Sequence, residues 1–433
     1  MNPTSNANHP RNHRPDAGRT PDPEAWARRA RLAHRTLRQY FRAGRVLLHE
    51  AVPRRRQDRR HSYEWPHSQV TAAATDLACV GIGLATAHDA GQETYWSPLL
   101  GAYTSLPRPP HGVGGRIYID DNAWMALIHV QRVLAGIGSD KDLRRAQAIH
   151  RFIQRSRDTD PSHPAPGGVF WMAQPIWATL LSHCRSGDGS GRGDSRLRAA
   201  PDGRCSGMRV GSALSGGLSR ASHLLGASHL LGASASGNHS RNTVSTMPPT
   251  QLALRLHQVT GEDCFLRDAR PIYEWAREHM LSPDGLFWDN IDLAGNIDPT
   301  FWSYNQGVPI GVEALAWQIT GSVVHRRRFD EIIEASLAYF RPEEPDGPFD
   351  GQPIFFNAIF LKNLLLASAI IPDDRAVRIT QCYAERMWRT RCDQDSGLYR
   401  RPSADHTELL EQAAMVQLCA VLAADPRCWA WLY

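Results

Sequence analysis

Two carboxylates stand side by side, Asp120 and Asp121, in the stretch Gly-Gly-Arg-Ile-Tyr-Ile-Asp-Asp-Asn-Ala-Trp-Met at 114–125. Ile117 to Ile119 reads as a short extended run. An apolar helical period then begins at Ala123 and continues through Trp124, Leu127, Ile128, Val130, Val133 and Leu134. Aspartate is a good helix cap, because its oxygen accepts first-turn backbone N–H groups that have no partner inside the helix. One aspartate suffices for that. Inside a regular helix neighbouring side chains point about 100° apart, but at a loop-to-helix junction both can turn into one cleft. Glycoside hydrolysis with retained configuration needs two carboxyl groups about 5–5.5 Å apart, one as nucleophile and one as acid/base. Inversion needs about 6.5–9.5 Å to admit a water. Adjacent residues suit the shorter spacing. Two other readings fit the dipeptide: a cap beside a solvated acid, or a pair of oxygen ligands for Mg2+. The metal reading wants a further acid on the next turn, and Ala123, Trp124, Met125 and Ala126 follow instead. No metal or cofactor is expected.

The elements that must hold this pair are helices. An amphipathic pattern runs over Pro23 to Glu50, with Ala30, Leu37, Phe41 and Leu47 among its apolar positions. Tyr63, Glu64, Trp65 and Pro66 open a second helix, since proline suits a first turn. A shorter helix is expected near 94–104, another from the aspartates to about Ala135, and another over 140–157, capped by Ser139 or Asp140. Further helices are expected near 246–259, 263–281, 304–320, 323–341, 354–370, 373–389 and 406–424, and strand signals are few and short.

Composition narrows the function classes. The 433 residues carry a formal net charge of +5, with many arginines between Arg28 and Arg60. Such a run reads as a solvated face, and no nucleic-acid motif accompanies it. No apolar run is long enough to span a membrane, and the first 22 residues lack the apolar core of a signal peptide. A cytoplasmic monomer with no nucleic-acid or membrane partner is expected. The eight cysteines include no C-x-x-C pair, and Cys79, Cys264, Cys382 and Cys419 sit in helical patterns as free thiols.

A weak internal repeat organises the helices. Gly138, Leu143, Ala146, Ile149 and Phe152 match Gly261, Leu266, Ala269, Ile272 and Trp275, and Gly321 sits at the same place in a third copy 60 residues after Gly261. Each unit is a helix, a glycine turn and a second helix. About twelve helices make six hairpins, and six hairpins closing on themselves make an all-α (α/α)6 toroid. Its inner helices would direct their N-termini at one cleft. The segments before those ends are rich in aromatic and polar residues: Tyr63 and Trp65, Tyr118, Trp171, Phe287 to Asp289, Phe301 to Gln306, and Phe355 to Asn357. Aromatic faces stack on sugar rings and amides or carboxylates read hydroxyls, so a carbohydrate groove is expected.

These pieces together resemble glycoside hydrolase family 76, the endo-α-1,6-mannanases. The matching residues are Tyr118 to Trp124, Gly167 to Trp171, Asn242 to Ser245, Gly285 to Asp289 and Tyr304 to Gly307, within a similarity running from about Trp65 to Leu422. The resemblance implies the (α/α)6 fold and a retaining mechanism without metal. It implies Asp120 as nucleophile and Asp121 as acid/base, acting on α-1,6-mannosidic bonds of a mannan or manno-oligosaccharide. Trp65, Asn122, Trp124, Trp171, Asp289, Trp302, Tyr304, Asn305 and Gln306 are the expected substrate-binding residues. A catalytically silent glycan-binding protein, or a sugar epimerase on the same toroid using histidines at the inner-helix ends, is the competing reading.

The domain is read as residues 23–433 behind a disordered tail at 1–22. It is interrupted at 183–240 by a stretch of Gly, Ser, Arg and Ala in which Ser-His-Leu-Leu-Gly-Ala occurs twice, at 222–227 and 228–233. Such a composition buries too little apolar surface to offset the entropy of ordering. Limited proteolysis is therefore expected to cut first within 183–240 and leave the flanking fragments associated. First cuts inside a helical segment would contradict that reading.

Overall fold

The computed structural model describes residues 22–173 and 240–433, except position 403. Nearly all of the expected tail and of the 183–240 stretch lies outside the described residues. The helices are α1 (Pro23–Tyr40), α2 (Glu64–Cys79), α3 (Asp89–Gln92), α4 (Ile119–Leu134), α5 (Asp140–Gln154), α6 (Thr243–Thr260), α7 (Cys264–His279), α8 (Ser303–Thr320), α9 (Val323–Phe340), α10 (Ile354–Ile370), α11 (Asp374–Thr390) and α12 (Leu409–Ala423). The even-numbered helices pack in sequence and close when α12 meets α2, forming the inner ring of an (α/α)6 toroid. Outside it, α5, α7, α9 and α11 each pack on the inner helix before them, and α1 packs on α12. An antiparallel pair, Ala51–Val52 with Thr407–Glu408, seals the same closure. No described helix is long and apolar enough to cross a membrane.

The two rings differ because their surroundings differ. Helix α11 buries Ala376, Ile379, Thr380, Tyr383, Ala384 and Met387, one helical stripe, and leaves the rest to solvent. Inner helices are buried on all sides: α10 is covered from Ile354 to Ala367. Glycine makes the closest of these packings possible. A Cβ on Gly307 would lie 2.5 Å from the Cα of Phe360, and one on Gly311 would lie 2.2 Å from Asn363 Oδ1, so α8 can approach α10 only there. The repeat glycines have a different task. Gly261 and Gly321 end α6 and α8 in the left-handed conformation, with φ of 72° and 65°. After α4 that role falls to Gly136, at 69°.

Two expected helices are altered. The first stops at Tyr40, and the chain turns through Gly44, at φ 89°, into a hairpin pairing Arg42–Ala43 with Leu47–Leu48. The one expected near 94–104 is reduced to α3, a single 3-10 turn and a second hairpin pairing Trp96–Ser97 with Ala102–Tyr103. Gly101, at φ 70°, forms that turn, a conformation a continuing helix excludes.

Enclosure on all sides makes an unpartnered polar group in the inner ring costly, and most are answered inside the protein. Asp76 on α2 and Lys362 on α10 form an ion pair of 2.9 Å with both side chains fully buried. Gln131 on α4 donates to the other Asp76 oxygen at 2.7 Å, and Lys362 also donates to Gln417 on α12 at 3.1 Å. The ammonium lies 4.2 Å from the centre of the Tyr433 ring.

A second device recurs at the opposite ends of the helices. The fourth residue of four inner helices is an amide that satisfies backbone groups of neighbouring loops. Asn122 accepts from Tyr103 N–H at 2.7 Å and donates to the carbonyls of Tyr103 and Tyr118. Gln306 does the same for Phe287, also donating to the Trp302 carbonyl. Gln412 holds Tyr399, Gly397 and Ala33, and Asn357 holds Phe349.

Removing one partner of a buried ion pair costs about 3–5 kcal/mol, because the other charge stays behind. Lys362→Met is expected to destabilise by that order in urea unfolding, and the Asp76→Leu/Lys362→Met double variant by clearly less. A double variant weaker than both singles would refute the pairwise account.

Candidate active site

The aspartate pair lies in the first turn of α4, at the N-terminal mouth of the inner ring. The segment 167–173 holds it there. A Cβ on Gly168 would lie 2.5 Å from the Trp275 ring, and Gly167 adopts φ 115°, so the two glycines let the loop press flat against that indole. The loop then delivers Trp171, whose Nε1–H donates to Asp120 Oδ2 at 3.0 Å. The Trp171 ring packs on Tyr118 at 4.9 Å, and its carbonyl accepts from Ile119 N–H at 2.9 Å. Its own N–H donates to the Ser240 carbonyl at 2.9 Å. Both flanks of 174–239 therefore meet beside the carboxylates. Arg241, next in line, is fully buried, donating to Asp158 at 2.6 Å and to carbonyls of Pro164 and Asp292.

The two carboxylates have unlike environments. Burial pushes Asp120 up to about 6 from an ordinary 3.8, opposed by hydrogen bonds from Trp171 and from backbone N–H groups of the helix start. Asp121 is half-buried in the mouth. It is pushed well above the usual carboxylate range by burial and by the charges of Asp120 and Glu64, with no hydrogen bond among the causes to hold it down. The pair thus separates into one residue stabilised as the anion and one that keeps its proton.

A third acid stands with them. Glu64, the first residue of α2, is fully buried and raised well above the carboxylate range by burial, partly offset by the hydrogen bond from Gln92, with Asp120 pushing it further up. In the chain Glu64 reads only as part of a helix start. Its signal was position, since it opens one inner helix as Asp120 and Asp121 open another. Gln92 in turn bonds His67 Nδ1 at 3.0 Å, so the histidine at this inner-helix end is buried behind the acid rather than in the mouth.

Of the expected binding residues, several gather here. Asn305 donates to Asp289 Oδ1 at 3.1 Å, and Asp289 is close enough to raise both Asp120 and Tyr304. Tyr304 stacks on Phe356 at 3.9 Å, Trp65 lies 6.1 Å from the same ring, and Trp302 meets it edge-on at 5.4 Å. Trp65, Trp302 and Tyr118 are partly exposed. Asp120 Oδ1, Glu64 Oε2, Asn305 Oδ1 and Trp65 Nε1 are buried without a hydrogen-bond partner in the protein. Three expectations are corrected. Asn122 and Gln306 are fully buried and spend their amides on backbone, so they shape the loops and do not face a ligand. Trp124 is 1% exposed and packs 6.1 Å from Tyr433 in the core. Trp171 is nearly buried too, but its indole N–H acts on Asp120 itself.

The profile of Glycosyl hydrolase family 76 matches residues 231–425. Mannan endo-1,6-alpha-mannosidase DCW1 of Saccharomyces cerevisiae is 27% identical over 154 residues, 32% of this chain and 34% of that protein. The chain thus spans about a third of the length of the curated relatives it matches. A GH76 alpha-mannanase of Bacteroides thetaiotaomicron shares the fold with a TM-score of 0.66 at 14% identity, covering 93% of this chain and 96% of that one. So does an alpha-1,6-mannanase of Salegentibacter, with a TM-score of 0.61 at 16% identity, covering 92% and 99%. It is described as an inactive variant with two consecutive aspartates replaced by asparagine, in complex with alpha-1,6-mannotriose. Over residues 231–425 the chain is similar to glycoside hydrolase family 76, and its fold is that of the family's solved structures.

A carboxyl whose folded pKa is raised binds protons that the unfolded chain releases, so its contribution to stability is present at low pH and lost as pH rises. For Asp120 that window runs from about 4 to about 6. For Asp121 it extends further upward. Asp121→Asn keeps the shape without the charge, so it is expected to raise the Tm at pH 7 by roughly 2 °C or more. The gain should shrink towards pH 4. A lower Tm at pH 7 would show that the ionised pair stabilises the fold.

Proposed function

We propose that the protein is a retaining glycosidase that cleaves α-1,6-mannosidic bonds in mannan-type polysaccharide. The observation that carries this is the asymmetry of the pair: the Trp171 indole N–H bonds Asp120, while Asp121 is raised by burial and by like charges with no such bond among the causes. In the first step the Asp120 carboxylate attacks the anomeric carbon, and protonated Asp121 gives its proton to the departing glycosidic oxygen. The glycosyl ester on Asp120 is then hydrolysed by a water whose proton Asp121 accepts, restoring both groups. Glu64, a buried acid beside the pair, adds to what raises Asp121 and so helps it retain its proton. Trp65 and Trp302 offer aromatic surface to sugar faces, and the unpartnered oxygens of Asn305 and Asp120 suit sugar hydroxyl donors. The relatives' descriptions as endo-1,6-alpha-mannosidases support the linkage, and the inactive double-aspartate variant supports a pair of this kind as the reacting groups.

The roles separate kinetically. Asp120→Ala is expected to abolish turnover of every substrate, because no glycosyl ester can form. Asp121→Ala is expected to lose about 10²–10⁴-fold on linear α-1,6-mannan but far less on aryl mannosides, whose leaving group needs little acid help. Azide should partly rescue Asp121→Ala and give a glycosyl azide of retained configuration. The wild-type kcat/KM should rise with pH through the ionisation of Asp120 and fall as Asp121 loses its proton. Mannan binding with no products by chromatography and anomeric NMR would instead identify a silent glycan-binding protein.

A further inference from the structure

The arginines that crowd residues 28–60 have separate fates. Arg28 and Arg31 pair with Glu24, Arg29 with Glu385, and Arg55 with Asp405. Arg35, Arg38, Arg42 and Arg45 have no carboxylate partner among the described residues, and all four line one cavity of about 470 Å³. Arg35 and Arg38 fall on one side of α1, at i and i+3, and Arg42 and Arg45 come from the hairpin that follows. The opposite wall is α3 and the residues before it, including Ala87, His88 and Gly91. Among the described residues, no acidic side chain lines the cavity. Gly91 sets the depth, since a Cβ there would lie 2.3 Å from the Val46 carbonyl oxygen and 2.5 Å from His67 Nε2. The buried His88 faces His34 at 3.4 Å between ring nitrogens.

Four unneutralised guanidinium groups around one concavity repel one another, an arrangement stabilised only when an anion enters. Guanidinium groups match phosphate oxygens through paired N–H donors, and a phosphate monoester carries about −1.5 to −2 charges. The volume lies in the range of small-molecule sites and far exceeds a bare phosphate ion. Val46, Leu47 and Leu48 add less polar wall for the body of a ligand. We propose that this cavity, on the outer ring between α1 and α3, binds an organic phosphate of sugar size through Arg35, Arg38, Arg42 and Arg45. Burial, with the neighbouring His67, His34 and Arg38, keeps His88 down at about 3, so the imidazole on the cavity wall is a neutral hydrogen-bonding group. The proposal is independent of the glycosidase reading, because none of these residues belongs to the aspartate site.

The test is calorimetric titration of the full chain at low salt with glucose 6-phosphate, glucose and inorganic phosphate. The expected result is saturable binding of glucose 6-phosphate, weakened on the order of tenfold or more by 0.5 M salt and by the Arg38→Glu/Arg42→Glu variant, with no binding of glucose. The two positions are exposed, and circular dichroism of the variant checks that its fold is intact. Inorganic phosphate binding as tightly as the sugar phosphate would reduce the site to one for an adventitious ion only and overturn the proposal. Equal affinity of variant and wild type would also overturn it. So would retention on phosphatidylserine vesicles without binding of glucose 6-phosphate, which would make the arginines a membrane-facing patch.

Discussion

Deep in the inner ring, the Asp76–Lys362 ion pair ties α2 to α10, with Gln131 and Gln417 bringing in α4 and α12. It expresses the constraint under which the whole molecule is built. Six helices surrounded by other helices have no solvent face, so a polar side chain on them is costly unless protein answers it. On the other side of the ring Gln251 of α6 donates to Asn363 of α10 at 2.8 Å, against the space left by Gly311. These bonds connect helices that are distant in the chain. They also reject rotations of an inner helix that a purely apolar ring would tolerate, a role buried polar groups are known to serve in helical assemblies.

The same enclosure governs the chemistry at the mouth. Acids at the starts of α2 and α4 are removed from water and crowd each other, which raises them. Helix N-termini and an indole N–H act in the other direction, and they act on Asp120 more than on Asp121. A difference of a few hydrogen bonds thus sets neighbouring residues of one type apart. The amides at the fourth position of the inner helices serve this arrangement at one remove, because Asn122 fixes the Tyr118 carbonyl immediately before the pair.

Much of this was legible in the chain. The stripe of α11 and the glycine stops of α6 and α8 follow from local rules, and the repeated hairpin with them predicts a closed ring. The aspartates announced themselves because one acid more than a cap requires stood between aromatics. What was not legible depends on partners far away in sequence. Asn122 and Gln306 look like ligand-reading amides in a motif, and only the positions of Tyr103 and Phe287 reveal them as braces for loop backbone. Trp124 shares the motif's aromatic character, yet helical phase turns it towards Tyr433. Glu64 was hidden by its ordinary setting in a helix start, since its neighbours Gln92 and Asp120 lie on other elements. The helix expected near 94–104 fails because Gly101 adopts a conformation no helix continues through.

Closure of the ring has a consequence for how the chain comes into being. Helix α1, which packs on the last helix of the ring, buries Trp26, Ala30, Ala33 and Leu37, and Gln412 reaches back to the Ala33 carbonyl across 379 residues of sequence. At about 5–20 residues per second on the ribosome, that partner emerges roughly 20–75 seconds after its counterpart. Throughout that interval the first helix presents an apolar stripe with nothing to cover it, and contacts of such long range are slow to form in any chain. The circular connectivity thus sets the first helix to wait for its partner until the chain is nearly complete.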